Sequence, residues 1–498
     1  MSIDYDVVII GGSLAGRYAA LAATKLQAKV ALVEPQINYG FIYHHTFCEI
    51  ANRLQSLNDA AGFGIHTNHA DIAEKCHISV AWQEAMLYAD GVAANIRELN
   101  SLATLAALGV DVIFGQGEFQ SSPHLAFAIY DNDKKSSYSA QHQILRLLRG
   151  RTYLLASGSR PAIPNIEGLQ ATGYITLANI WQSLKKPTLL QNWVIIGGVP
   201  QSIEIAQTLA RLGCNVTLVI KYPYILQNID PEIAQLLQAQ LEVDGVRVLT
   251  QTLVTQVRQI EDKKWIQAGD KAIETDEILV ATRQKPNFES LNLAAAGVKS
   301  YCDRLIVNDK LQTTNKRIYA CGDVIGGYDF PNVANYEARI ALNNALFFPR
   351  LHVNYQHISW GIFTCPMLAQ VGLTETQAKR QFRNHEFLVL RQYFKSLTAA
   401  QIQSETTGIC KLIVLRNGEI LGATILGVAA AELINIIALA IAQKIKVKHL
   451  ANLAPVHPNF SEILTQTAQE WHQQKLNNNP ALQDRLESFF HFRRNWNL

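Results

Sequence analysis

Short apolar runs recur along this chain, each closed by a glycine turn and followed by residues with helical spacing. Asp6-Val7-Val8-Ile9-Ile10 leads into Gly11-Gly12-Ser13-Leu14-Ala15-Gly16, and Val30-Ala31-Leu32-Val33 then ends at Glu34. The pattern returns at Trp193-Val194-Ile195-Ile196, passes through Gly197-Gly198-Val199-Pro200-Gln201-Ser202 and reaches Val216-Thr217-Leu218-Val219-Ile220. The two copies align without a gap at an offset of 197 − 11 = 186. Apolar runs of this length, without polar alternation, predict strands buried on both faces and joined by crossover helices. A third kind of pattern spans Ile420 to Ala442, apolar except for Thr424, Glu432, Asn435 and a few small residues. Gly427 and a strand-like start divide it into a strand and a shorter helix, each too short to cross a bilayer. A buried strand–helix pair at a subunit interface is expected there.

Strand, glycine turn, helix and second strand make one dinucleotide-binding unit. The first copy retains what binding needs. Gly11 permits the tight turn, Gly16 lets helix and strand approach, and the amides at the helix start can hold a pyrophosphate. Ser13 stands at the second glycine position with a small side chain, and Glu34 is placed to accept from an adenine ribose. The second copy is changed where phosphate would touch it. Val199 and Ser202 replace glycines, Pro200 removes an amide donor, and Ile220 stands where Glu34 stands in the first copy. Lys221 suits a 2′-phosphate, so any nicotinamide bound here is expected to be NADPH rather than NADH.

At 498 residues, 48% hydrophobic and 17% charged, the chain has enough apolar mass for several packed domains. A net charge of +3 with no dense basic cluster argues against nucleic acid as a partner. Cys48, Cys76, Cys214, Cys302, Cys321, Cys365 and Cys410 show neither CxxC nor metal-type spacing, so no metal site is expected. The first strand begins within about five residues of Met1, which leaves no room for a signal peptide and predicts a cytoplasmic location.

Further signals follow in a fixed order. Gly115-Gln116-Gly117-Glu118-Phe119 is expected to end a strand. Tyr153-Leu154-Leu155-Ala156-Ser157-Gly158-Ser159-Arg160-Pro161 closes the first unit, and Ala281-Thr282-Arg283-Gln284-Lys285-Pro286-Asn287 closes the second. Tyr319-Ala320-Cys321-Gly322-Asp323, Phe363-Thr364-Cys365-Pro366, Val371-Gly372-Leu373-Thr374 and His457-Pro458-Asn459-Phe460-Ser461-Glu462 complete the series. From residue 4 to about 470 this order resembles the class I pyridine nucleotide-disulfide oxidoreductases, the glutathione reductase, dihydrolipoamide dehydrogenase and mercuric reductase type. The resemblance implies an α/β fold with two Rossmann-like dinucleotide-binding domains and a C-terminal α+β dimerisation domain. It places an FAD-binding domain at 1–160 and 287–350, a degenerate NAD(P)-binding-like domain at 161–286, a dimerisation domain at 351–470 and a tail at 471–498. It also implies a homodimer with bound FAD. The implied FAD contacts are Gly11, Ser13, Gly16, Glu34, Gly117, Ser157, Gly158, Gly322 and Asp323, and the NAD(P)-like site holds Gly197, Val199, Glu204 and Lys221.

The departures decide the functional reading. The family carries two cysteines on the helix after Glu34, and here Tyr43 falls on the first and Cys48 on the second. A tyrosine cannot supply the second sulfur of a dithiol relay. Ala51 replaces a lysine that the family sets near the flavin, which leaves Glu204 expected to lack its partner. Of His44 and His45, at most one can face the flavin, because adjacent helical side chains diverge. His457 and Glu462 match the family's proton-transfer histidine and its orienting acid. Cys48, His457 and Glu462 are therefore the catalytic candidates.

The expected function is an FAD-dependent oxidoreductase that passes electrons to a small non-disulfide acceptor such as a quinone. The alternative is a non-catalytic FAD-binding protein with a sensing, binding or assembly role. Beyond Asn477-Asn478-Asn479-Pro480, the tail sets Leu482, Leu486, Phe489 and Phe490 on one helical face beside arginines. It is expected to pack on the dimer body or a partner, with contact to a membrane surface as the less favoured reading.

Overall fold

The computed structural model describes residues 3–34, 39–65, 79–99, 101–121, 124–130, 144–186, 188–327, 330–477 and 479–496. The chain divides into two compact units. The first takes in residues 1–219 and 252–353, and the second residues 220–251 and 354–498.

In the first unit a five-stranded sheet runs in the order Ile318–Ala320, Gly150–Leu155, Tyr5–Ile10, Val30–Val33, Val110–Ile113. Every pairing is parallel. The apolar runs of the sequence are its central strands, and Val7 to Ile10 and Leu32 are fully buried in a core shared with helices Leu14–Lys25 and Pro331–Leu346 and with Phe119, Phe127, Ile129 and Leu148 of a separate antiparallel sheet. A second parallel array repeats the design with Asn215–Val219, Asn192–Ile196, Glu277–Val280 and Ile175–Thr176 in that order. The repeat reaches individual hydrogen bonds. Gly11 N donates to Val33 O at 3.0 Å, and Gly197 N donates to Val219 O at 3.0 Å. Ala156 N donates to Ile10 O at 2.8 Å, and Ala281 N donates to Ile196 O at 2.8 Å.

One expected boundary is corrected. The apolar strand stops at Ile113, and Gly117–Gln120 starts a separate strand that pairs antiparallel with Ala126–Tyr130. Gly115 makes the break. Its φ is +137°, and an added Cβ would press on the Ile129 side chain.

In the second unit a five-stranded antiparallel sheet runs Trp360–Ile362, Met367–Gly372, Ile420–Gly427, Ile409–Leu415, Phe387–Tyr393. The apolar stretch from Ile420 divides as the sequence predicts, into strand Ile420–Gly427 and helix Ala430–Ala442. Among the described residues, no helix is long and apolar enough to cross a membrane.

The same unit buries a charge cluster that joins its two chain segments. Lys411 is 1% exposed. Its ammonium lies 2.9 Å from Asp230, 2.6 Å from Glu375 and against Glu232. Asp230 also accepts from the Glu375 and Thr376 amides at 3.1 and 3.0 Å, the first donors of helix Glu375–Gln381. Arg391 adds a second cation, 2.6 Å from Glu375. Burial works against the Glu375 charge, but the Lys379 and Lys411 ammonium groups and Arg391 outweigh it and bring that carboxyl down to about 2.

Lys411→Met would leave three carboxylates around an apolar side chain and should cost about 3–5 kcal/mol of stability in denaturant unfolding. Because Asp230 and Glu375 are both held low, their contribution is present above the ordinary carboxylate range. It should be lost as pH falls from about 5 toward 2. A variant that melts with the wild type at pH 7 would show that the cluster contributes nothing net.

Candidate functional site

The first glycine turn is closed by backbone. A Cβ on Gly11, at φ +114°, would run into the Ala156 carbonyl, and one on Gly16 would run into the Gly11 carbonyl. Ser13 is the N-cap of helix Leu14–Lys25. Its hydroxyl accepts from Gly16 N at 3.2 Å and donates to Ala156 O at 2.9 Å. Ser157 donates to Asn287 O at 2.6 Å, and Gly158 O accepts from Asn287 N at 2.9 Å. Gly117 cannot carry a side chain, because a Cβ would meet the Ala128 carbonyl and the Phe127 ring.

Asp323 is the second residue of the short 3-10 turn Gly322–Ile325 after strand Ile318–Ala320, and one of its oxygens accepts from Ser159 at 2.8 Å. The sequence does not single out Ser159, since a serine next to a glycine carries no signal of its distant partner. The neighbouring Gly322 amide donates to Glu337 at 2.7 Å.

These residues fit a dinucleotide. Burial pushes the Glu34 carboxyl above its ordinary range, and among the described residues its side chain takes no hydrogen bond. Asn335, on the same helix as Glu337, has a buried Oδ1 without a partner among the described residues. A half-buried carboxyl and a buried amide oxygen, both left open, are what a bound ribose and ribityl chain would satisfy.

The second turn starts alike and ends differently. Gly197 has φ +116°, and a Cβ there would strike the Ala281 carbonyl, as at Gly11. Val199 takes the N-cap position of helix Pro200–Arg211 but caps nothing with its side chain. Ser202, completely buried, donates to Gly197 O at 3.0 Å and Val199 O at 2.7 Å. Pro200 is well placed as the first helical residue, where its missing N–H would otherwise be an open donor. Lys221 lies in the second unit, its ammonium 4.9 Å from the Tyr222 ring centre.

Helix Gly40–Asp59 packs on helix Pro200–Arg211 within the first unit, and here one expectation is overturned. Glu204 has a partner: its carboxylate pairs with His44 Nε2, both side chains being buried. The sequence concealed this because the pair joins residues 160 apart. The family's lysine position, now Ala51, lies two helical turns further along. The contacts continue down the two helices in step. Thr208 Oγ1 donates to Cys48 Sγ at 3.2 Å, and Arg211 donates to Asn52 at 2.7 Å. His44, Cys48 and Asn52 are spaced four apart, and Glu204, Thr208 and Arg211 four and three apart, so each set shares a face.

Cys48 Sγ also lies 3.9 Å from His44 Nε2. Burial alone would lower the basicity of His44, but the adjacent Cys48 sulfur and Glu204 carboxylate prevail and push it up to about 10. The pairing with Glu204 favours the protonated form of His44. Phe47 stacks between Trp82 and Trp181, with both ring separations 4.9 Å, and keeps the neighbouring side of the helix dry.

Tyr43 projects elsewhere. Its hydroxyl donates to Asp90 at 2.5 Å, and Lys185 bonds Asp90 at 2.5 Å. All six cysteines among the described residues are free, and Cys76 lies outside them.

In the second unit His457 Nδ1 lies 3.1 and 3.2 Å from the two oxygens of Glu462, which begins helix Glu462–Asn477. The Asn459 amide, followed by His457, holds the Glu462 carboxyl below its usual range. The imidazole is open to solvent. A cavity of about 650 Å³, lined by Arg149, Gly150, Arg151 and Arg317, opens where the first sheet's strands begin. That is the opposite end from the Gly11 turn, and ligands of parallel sheets bind at the carboxyl ends of strands.

Residues 5–338 match the pyridine nucleotide-disulphide oxidoreductases, and residues 358–468 match the dimerisation domain of the same enzymes. A mercuric reductase of Staphylococcus aureus is 31% identical over 88% of this chain and 77% of its own length. A dihydrolipoyl dehydrogenase of Synechocystis is 29% identical over 93% of this chain and 97% of its own. Among solved structures, the HOCl-induced flavoprotein disulfide reductase RclA of Escherichia coli, in a Cu(II) complex, superimposes with a TM-score of 0.78. It is 23% identical and covers 94% of this chain and 99% of its own. LpdA of Mycobacterium tuberculosis reaches 0.80 at 22% identity, over 93% and 99% of the two chains. These two share the fold. The chain belongs to the pyridine nucleotide-disulphide oxidoreductases, FAD-dependent enzymes that use NAD(P)H and carry a dimerisation domain.

Proposed function

We propose that this protein is an FAD-dependent oxidoreductase that works without a redox disulfide and delivers electrons to a small non-disulfide acceptor, such as a quinone. The observation that carries this reading is the pair of positions Tyr43 and Cys48. Tyr43 spends its hydroxyl on Asp90 where a disulfide route needs a sulfur. Cys48 is engaged by Thr208 and His44, and no described cysteine is bonded to it. FAD would be held by the Gly11 turn, Glu34, Gly117 and Asp323, and would supply hydride acceptance followed by one- or two-electron donation. His44 takes over from the absent lysine as the cation beside Glu204. The two charges fix each other, and Thr208 and His44 hold the Cys48 sulfur in place. His457, oriented by Glu462, is the group that would exchange a proton with a bound acceptor.

The second reading, a flavoprotein withdrawn from catalysis, is favoured by one observation. Ser202 ties down the Gly197 and Val199 carbonyls and leaves the second turn filled by the chain itself.

Thiol counting on the denatured, oxidised protein should find Cys48 free, and the enzyme should lack glutathione, dihydrolipoamide and mercuric reductase activity. A disulfide peptide joining Cys48 to any cysteine, Cys76 included, would sink the proposal.

The two readings part on anaerobic titration. Under the enzyme reading NADPH bleaches the flavin, slowly, and NADH does so more weakly, since Ile220 offers the ribose no acceptor. A lost charge-assisted hydrogen bond is worth about 1.5–3 kcal/mol, or one to two decades of affinity. Val199→Gly with Ser202→Gly should quicken bleaching. A flavin reduced by dithionite but by neither nicotinamide, in wild type and double variant alike, would favour the non-catalytic reading.

The His44–Glu204 charge pair predicts a pH signature. A folded pKa near 10 lies above the ordinary histidine value of 6.5. Its stabilisation is therefore complete below about 6.5 and lost as pH climbs toward 10. In Glu204→Gln the decline in thermal stability between pH 8 and 10 should be shallower than in the wild type. Parallel pH curves would mean that the pair is not ionised.

A further inference from the structure

The last helix, Pro480–Asn495, buries none of its residues, unlike helix Glu462–Asn477 before it, which buries Ile463, Leu464, Ala468 and Trp471. It is nevertheless a well-made helix. Asn479 caps it by accepting from Leu482 N at 3.2 Å, and Gln483 anchors it to Leu476 O at 3.1 Å.

Its exposed residues are sorted by type. Leu482, Leu486, Phe489, Arg493 and Trp496 follow one another at helical spacing of four and three, with Phe490 and Phe492 on either flank. Phe489, Phe490, Phe492 and Trp496 are 52, 50, 59 and 63% exposed, so this face is uncovered in the single chain. The rings touch one another, Phe489 with Phe490 at 5.5 Å and Phe492 with Trp496 at 5.1 Å.

The charges are sorted as well. Arg485 and Arg493 lie one turn before and one turn after Phe489, and Arg494 lies one turn after Phe490. Asp484, Ser488, His491 and Asn495 form the opposite face at spacings of four, three and four, and Glu487 lies on the same edge as Arg494, seven residues on. No described residue forms an ion pair with any of the three arginines. Arg485 and Arg493 are thus on or beside the aromatic face and Asp484 is turned away from it, while Glu487 and Arg494 share the edge next to Phe490.

A face meant for a protein core would exclude Arg493 from its centre, since a buried unpaired guanidinium is costly. A face meant for water would not gather four aromatic rings. Aromatic and aliphatic side chains interleaved with arginines, with Asp484 on the far side, suit the boundary between lipid acyl chains and anionic headgroups. There the rings sink below the headgroups and the guanidinium groups reach up to the phosphates.

We propose that helix Pro480–Asn495 is an interfacial membrane-binding element that seats its Phe489–Trp496 face on anionic lipid. At 16 residues it is about 24 Å long, lying in the interface rather than crossing it. The inference is independent of the redox reading, because it uses none of the flavin-side residues.

The test is flotation of the full-length protein with vesicles of phosphatidylcholine alone and of phosphatidylcholine mixed with phosphatidylglycerol. The protein should float with the anionic vesicles and stay behind with the neutral ones, and the anionic binding should weaken with salt. Replacing Arg485, Arg493 and Arg494 together by glutamine should reduce binding on the order of 100-fold, taking each basic residue at its usual contribution near an anionic surface. Replacing Phe489, Phe492 and Trp496 by serine should abolish binding without moving the melting temperature, because these three side chains are exposed.

Equal flotation with both vesicle types, or with neither, would overturn the proposal. So would an aromatic variant whose sedimentation mass falls below that of the wild type, since a second copy would then be what covers the helix.

Discussion

Two buried charges hold the helix that carries Cys48 against the helix that opens the second glycine turn. The His44 imidazolium and the Glu204 carboxylate are each almost closed to solvent, at 6 and 4% exposure. Neither could remain charged there alone, because burying an isolated ion costs several kcal/mol even after the surroundings relax. As a pair they fix the register of the two helices, and the register sets what lies opposite Cys48. One turn further along, Thr208 meets the sulfur; one turn beyond that, Arg211 meets Asn52. A one-turn slip would leave His44 facing Thr208 and the Glu204 carboxylate opposite Gly40, without its partner. The position of the lone thiol therefore follows from an ion pair that also lends it a neighbouring positive charge.

The two glycine units show how far a backbone design outlives its ligand chemistry. Strand pairing is parallel in both copies, the first glycine has φ +114° in one and +116° in the other, and the two closing hydrogen bonds measure 3.0 and 2.8 Å in each. These features serve the sheet, and a sheet buried on both faces tolerates little change. The positions that would face phosphate serve only the ligand. There the first copy keeps a serine that caps its helix, and the second has Val199 without a cap and Ser202 bonded back to its own turn. The same hydroxyl chemistry is aimed outward along the chain in one copy and inward in the other.

In the second unit the organising force is again charge taken out of water, but with a structural result. Asp230 caps one helix while pairing with Lys411, and so ties residues 220–251 to the antiparallel sheet. Asp230, Glu232 and Glu375 converge closely enough to resemble a cation site. The Lys411 ammonium stands among them and already supplies the positive charge they call for. The final helix follows a different rule, since its charges remain in solvent and the rings of its apolar face are exposed among the described residues.

Much of this architecture was legible in the sequence because it is local or periodic. Buried parallel strands announce themselves as apolar runs, glycine turns need particular residues, and Gly427 marks where strand gives way to helix. The absence of a second cysteine at Tyr43 was equally plain, since a side chain that is not there needs no geometry to prove it. What the sequence misjudged was Glu204, expected to stand without a partner and found paired with His44. Ion pairs between distant residues depend on which helical faces meet, and that is decided only when the sheets have set the helices side by side. The bond between Ser159 and Asp323, the burial that raises Glu34, and the inward bonds of Ser202 belong to the same class. Sequence spacing fixes which face of a helix a residue occupies; only packing fixes what that face touches, and with it which charges survive burial.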